Sequence, residues 1–206
     1  MVTKKGPDLL ENGNISFYVR HKVISPGEDV KIFKQEQVQR LYMLLYAKKI
    51  RLYRLFIIGK KELPSIIGNA KNWAIVEKIT KEATIISTIL QKDIYETKSQ
   101  GKRIEPKAEL VARGNYSINF EGQQTFLNFE LKDMHASKKF EHELNITRQG
   151  NYILSIKNPK LNPTNKIPAY SDELEKKFGK YHFIAANPIE FLNYPNTELI
   201  LIASSK

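Results

Sequence analysis

The chain contains no cysteine. Disulfides, a thiolate nucleophile and thiolate-bound zinc are therefore excluded together, and a reducing compartment is the natural expectation. No apolar run approaches the ~20 residues that a helical bilayer span needs. The opening residues, MVTKKGPDLLENG, carry lysines but no apolar core of a secretory signal. The expected compartment is the cytoplasm. Catalytic signatures are missing as well. There is no G-x-S-x-G nucleophile elbow and no HExxH pair. Gly59-Lys60-Lys61 and Gly101-Lys102 lack the glycine-rich loop that cradles phosphates. Whether the chain is an enzyme is left open, and no cofactor is implied.

What is present is a core and an uneven charge. With 206 residues, 41% of them hydrophobic, the chain can bury a substantial interior. The net charge of +11 is concentrated in one half. Residues 1–103 hold 20 Lys and Arg against 10 Asp and Glu, whereas residues 104–206 hold 13 against 12. A one-sided basic surface suits a polyanion, such as RNA or an acidic protein surface. The plain alternative is a lysine-rich coat that aids solubility, since specific phosphate or base contacts favour arginine.

The stretch Arg40–Gly59, RLYMLLYAKKIRLYRLFIIG, organises the rest. Its runs Leu41–Ala47 and Leu52–Ile58 are apolar on both alternating faces, as in strands covered on both sides. The short polar join Lys48–Arg51 brings them back antiparallel as a hairpin. Before it, residues 1–12 read as a flexible tail. Gly13-Asn14 reads as a turn ahead of a strand over Ile15–Val19.

After Pro64, the spacing of Ala70, Trp73, Ala74, Val76 and Ile79 predicts a helix. A second helix follows over Ala83, Ile86, Ile89 and Leu90, with Thr80 as its cap. Ile94–Lys98 reads as a short strand. Tyr116, Ile118 and Phe120 alternate against Leu127, Phe129 and Leu131, which predicts a hairpin about Glu121–Gln124. Phe140, His142, Leu144 and Ile146 alternate too, with a short helix over Ser137–Glu143 as the alternative. Tyr152–Lys157 is another strand. Gly-Asn recurs at Gly13, Gly114 and Gly150, each time before an aromatic or β-branched strand. Unequal spacing argues for ordinary turn chemistry rather than a repeat.

The proline-rich stretch 158–170 reads as a surface connection. Ser171 then caps a helix that ends at Gly179. Tyr181–Ala185 is a strand, Asn187–Leu192 carries one or two helical turns, and Glu198–Ala203 is a buried final strand. A core strand this late joins the two halves. The expectation is an α+β fold in one domain over 13–206, with a largely antiparallel sheet and a few short covering helices.

Several segments are familiar in combination: VQRLYMLLY with RLYRLFIIGKKELP, NWAIVEKI, YETKSQGKR, ELNITRQGNYILSIKNP and FIAANPIEFLNYPNTELILIA. In this order, from Gly13 to Ala203, they resemble a family of conserved bacterial and fungal proteins of unknown function. The resemblance implies a free-standing cytoplasmic unit and carries over no activity and no site residue.

Two clusters are candidates for function. Lys48, Lys49, Arg51, Arg54, Lys60 and Lys61 interleave with Tyr42, Tyr46, Tyr53 and Phe56. Cations hold a phosphate backbone, and bases of a single strand stack on aromatic rings. The competing reading buries these aromatics and leaves the lysines at the hairpin ends. The other cluster is Asp133, His135, Glu141, His142 and Glu143, a polar pocket that would serve an enzyme or a small-molecule binder. It lacks fixed metal-ligand spacing, so no metal is expected, and His142 reads as a partly buried structural residue. The leading expectation is a non-enzymatic polyanion-binding protein.

Overall fold

The computed structural model describes residues 6–28, 34–66, 68, 70–99, 101–161 and 166–204. Its strands are β1 (Asp8–His21), β2 (Val38–Ala47), β3 (Leu52–Ile58), β4 (Lys71–Thr80), β5 (Asp93–Thr97), β6 (Gly101–Glu105), β7 (Glu109–Glu121), β8 (Gln124–Met134), β9 (Gln149–Lys157), β10 (Phe183–Ala185) and β11 (Glu198–Ala203). The α-helices are α1 (Ala83–Leu90), α2 (Lys138–Glu143) and α3 (Asp172–Phe178).

The expected single α+β domain with a largely antiparallel sheet is what the chain forms, and the sheet closes. Around the ring the order is β1, β2, β3, β4, β11, β9, β8, β7 and back to β1, every pairing antiparallel. An eight-stranded barrel is just wide enough for side chains to fill. Here Phe17, Met43, Phe56, Phe129, Tyr152 and Leu201 do so. β10 lies beside the last three residues of β9, beyond the end of β8. β5 and β6 form a separate hairpin tethered to Ile24 through Ile104.

The central hairpin has the expected register, Leu41 opposite Ile58 through Ala47 opposite Leu52. Its double apolar character has two causes. Met43, Leu45, Phe56 and Ile58 face the barrel interior. Tyr42, Leu44 and Leu55 face outward and are covered by Ile86 and Leu90 of α1. Burying each such side chain contributes about 1.5–3 kcal/mol.

Four expectations are corrected. The helix over Ala70–Ile79 is instead strand β4, held between β3 and β11. Asn72, Ala74 and Val76 point inward at period two, and the outward Trp73 created the helical-looking spacing. The tail over residues 1–12 is a strand from Asp8 onward, paired with β7; residues 1–5 lie outside the described residues. Phe140–Ile146 is not a strand; the alternative short helix forms instead, as α2, with the Ser137 hydroxyl accepting from the Phe140 N–H. The connection 158–170 is packed in part, because Tyr170 is buried against Phe178, Phe191 and Tyr194; residues 162–165 of it lie outside the described residues.

Other elements follow the sequence closely. Ser171 caps α3 through Leu174 N–H, and Gly179 ends it at φ 50°. α1 forms as expected, but its N-cap is Glu82 rather than Thr80, which ends β4 and accepts from the Glu82 N–H through its hydroxyl. Ile189–Asn193 is a 3₁₀ segment. β11 spans the expected Glu198–Ala203. Among the described residues, no helix is long and apolar enough to cross a membrane.

Candidate ligand surface

The join between β2 and β3 is a tight turn in which Arg51 adopts φ 52°. Lys48, Lys49 and Arg51 are all exposed there. Directly below, Tyr46 and Tyr53 face each other across the two strands on the outside of the barrel. Their ring centroids are 4.5 Å apart. β4 ends at Thr80, opposite Tyr53, so exposed Lys81 emerges beside the same turn. Sequence reading missed Lys81 because a helix over the preceding residues aimed it elsewhere. Lys60 and Lys61 sit at the opposite end of β3, both at positive φ; Lys60 is exposed and Lys61 half-buried.

Arg54 does not belong to this surface. It is fully buried inside the barrel, where Nη1 and Nη2 donate to the two carboxylate oxygens of Glu11 at 2.5 and 2.9 Å. Its Nε donates to Asn193 Oδ1 at 2.8 Å, and the Tyr116 hydroxyl donates to Glu11 at 2.7 Å. β3 runs inward at positions 54, 56 and 58, so a cation at 54 must enter the core with a partner. Burial, together with the neighbouring Glu11 charge, pushes the Tyr116 hydroxyl far above its ordinary pKa. The sequence carried no sign of this pairing, because Glu11 lay in the presumed tail.

The second cluster is dispersed. Asp133 forms a surface ion pair with Arg113 at 2.7 Å, which holds its carboxyl below the usual range. His135 is exposed beyond the end of β8. His142 is exposed on α2, contrary to the partly buried position expected from alternation with Phe140 and Leu144; a helix places it on a different face from Phe140. Glu141 is half-buried, and the Glu143 carboxylate accepts from the Gln35 N–H instead. Among the described residues, no three His, Asp or Glu side chains gather as metal ligands.

The surface that sequence reading overlooked is signalled by the three Gly-Asn pairs read as strand openings, at Gly13, Gly114 and Gly150. None of them is a turn. Gly13-Asn14 lies within β1, Gly114-Asn115 within β7 and Gly150-Asn151 within β9. The glycines face inward at close approaches. A Cβ at Gly150 would lie 2.3 Å from the Phe129 ring, and one at Gly114 would lie 2.0 Å from the Glu130 carbonyl oxygen. The asparagines face outward and fall into transverse rows. One row runs Asn12, Ser117, Asn128, Asn151, and the next runs Asn14, Asn115, Glu130, Gln149. Tyr46 is opposite Asn14 and extends the second row towards the basic turn. Over β7, β8 and β9 these rows floor an open cleft of about 700 Å³, walled by Ile66 and Ser204. Compared with models of protein families, with curated proteins and with solved structures, the chain matches none.

Proposed function

We propose that this protein is a non-enzymatic binding module for a polyanion, single-stranded RNA being the form that suits the surface, and that the β2–β3 turn is its contact point. The observation that carries this reading is the close, tilted ring pair Tyr46 and Tyr53 set directly beneath exposed Lys48, Lys49 and Arg51. Aromatic rings offer a stacking platform to unpaired bases, and flanking cations hold the phosphates. Lys81 adds a fourth cation from the neighbouring strand end. Lys60 and Lys61 lie one strand length away, about 20–25 Å at ~3.3 Å per residue, so a ligand reaching both clusters runs along the hairpin.

The test is retention on heparin and on single-stranded RNA as salt is raised. Wild-type retention should fall steeply between about 50 and 200 mM salt, because each neutralised phosphate releases counterions. Lys48→Glu with Lys49→Glu should weaken retention and flatten the salt dependence, while stability stays within about 0.5 kcal/mol of wild type. Unchanged retention in the double variant rejects this surface. No retention of wild type at low salt rejects polyanion binding altogether and leaves the charge as a solubility feature.

A further inference from the structure

We infer that the cleft over β7, β8 and β9 is a second binding site, and that its ligand is a neutral polyhydroxylated molecule, an oligosaccharide. Its volume of about 700 Å³ lies within the range of small-molecule sites. Its described lining is chemically uniform. Asn115, Asn128, Gln149 and Asn151 present amides, Ser117 presents a hydroxyl, and Glu130 presents the one charge. Amides and hydroxyls both donate and accept, which is what a face of hydroxyl groups demands of its partner. No cation is among the described lining residues, so a phosphate would meet Glu130 without a counter-charge. Ile66, 42% exposed at the wall, offers an apolar contact for the C–H face of a sugar ring.

Two features argue against a merely solvated strand surface. Asparagine is depleted in strands, yet Asn12, Asn14, Asn115, Asn119, Asn128 and Asn151 all occupy strand positions on this outer face. Their alignment into rows across four strands repeats donors and acceptors at the interstrand spacing of ~4.8 Å. Moreover, the Asn151 side-chain oxygen is buried with no hydrogen-bond partner among the described residues. Buried polar atoms are nearly always satisfied, and this one, on a residue that lines the cleft, gains a partner if the amide turns towards a bound hydroxyl group. Among the described residues, two hydrogen bonds link side chains of this face to one another, Asn14 to Asn115 and Asn119 to Ser117.

The experiment is an NMR titration of the full chain, following the side-chain NH₂ signals of Asn115, Asn128, Gln149 and Asn151. The probes are the neutral hexasaccharides of cellulose, chitin, mannan and starch, and a single-stranded hexanucleotide. At least one hexasaccharide should shift these signals saturably, with an affinity unchanged between about 50 and 200 mM salt, since no counterions are released. Asn128→Ala and Asn151→Ala should each weaken it by about tenfold or more without changing thermal unfolding. Lys48→Glu with Lys49→Glu should leave it unaltered, which separates this site from the basic turn. No shift with any hexasaccharide at millimolar concentration overturns the inference. So does saccharide binding that survives both asparagine variants, or shifts of these amides by the hexanucleotide alone.

Discussion

Arg54 and Glu11 show what one buried charge requires. The pair is bidentate, and both partners have further hydrogen bonds, Arg54 to Asn193 and Glu11 to Tyr116. Removing one partner leaves an uncompensated charge in the core. Glu11→Ala should therefore lower stability by about 3–5 kcal/mol, measured by urea unfolding, whereas an apolar pair at both positions should recover much of that loss. His21 is also buried, and its burial lowers the imidazole pKa while Glu109 partly opposes the shift. The neutral form is then favoured in the folded state. As pH falls through the unfolded value near 6.5 the unfolded chain takes up a proton first, so stability is full above that pH and declines below it. Urea midpoints taken between about pH 7.5 and 5 should show the decline, and His21→Asn should flatten it. Neither residue's role was legible in the sequence. A cation beside apolar residues reads as an exposed boundary until its distant partner is known.

At the scale of elements, strands with a distinct turn at each end were legible and continuous ones were not. The β2–β3 and β7–β8 hairpins and β11 follow from alternation bounded by polar joins. β4 was misread because one face carries Trp73 among smaller residues, and the partners on both its sides outweigh local spacing. The Gly-Asn pairs misled for a different reason. Glycine's missing side chain serves close strand approach here, not a turn, and no local rule separates the two uses. α1 packs on the outer patch of β2 and β3, and its last carbonyls accept from the Arg20 guanidinium at Ile89 and from the Ala108 N–H at Leu90. Leu90→Ala should cost about 2–3 kcal/mol, at the low end for leucine because its site borders solvent. Hydrogen exchange in that variant should quicken over Ala83–Leu90 while β2 stays protected.

The molecule as a whole is held by pairings between distant parts of the chain. β1 meets β7 across about a hundred residues, as in Gly13 opposite Tyr116, and the ring closes only when β11 enters between β4 and β9. Loop-closure entropy must be overcome before these contacts form, so refolding should be slow, in the millisecond to second range, by stopped-flow fluorescence of Trp73. Deleting residues 198–206 should abolish the cooperative thermal transition, because β4 and β9 both lose a neighbour. Closure itself was hidden in the sequence. Alternation shows which face of a strand is apolar, not that the first and last strands of a sheet meet.

A closed ring also governs how copies of this chain behave at high concentration. Fibrils grow by recruiting a strand onto an unpaired backbone edge. β8 and β10 divide one side of β9 between them, and β11 takes the other. The outer edge of β10 is only three residues long, and the small hairpin has two five-residue strands, of which β6 is bridged by Ile24 at Ile104. These bear Asp93 and Glu96 on one and Lys102, Arg103 and Glu105 on the other, which is the guarded form of an edge. Fibril growth from the folded protein must then wait for the barrel to open, so the lag before thioflavin fluorescence should shorten in Glu11→Ala in step with its lost stability.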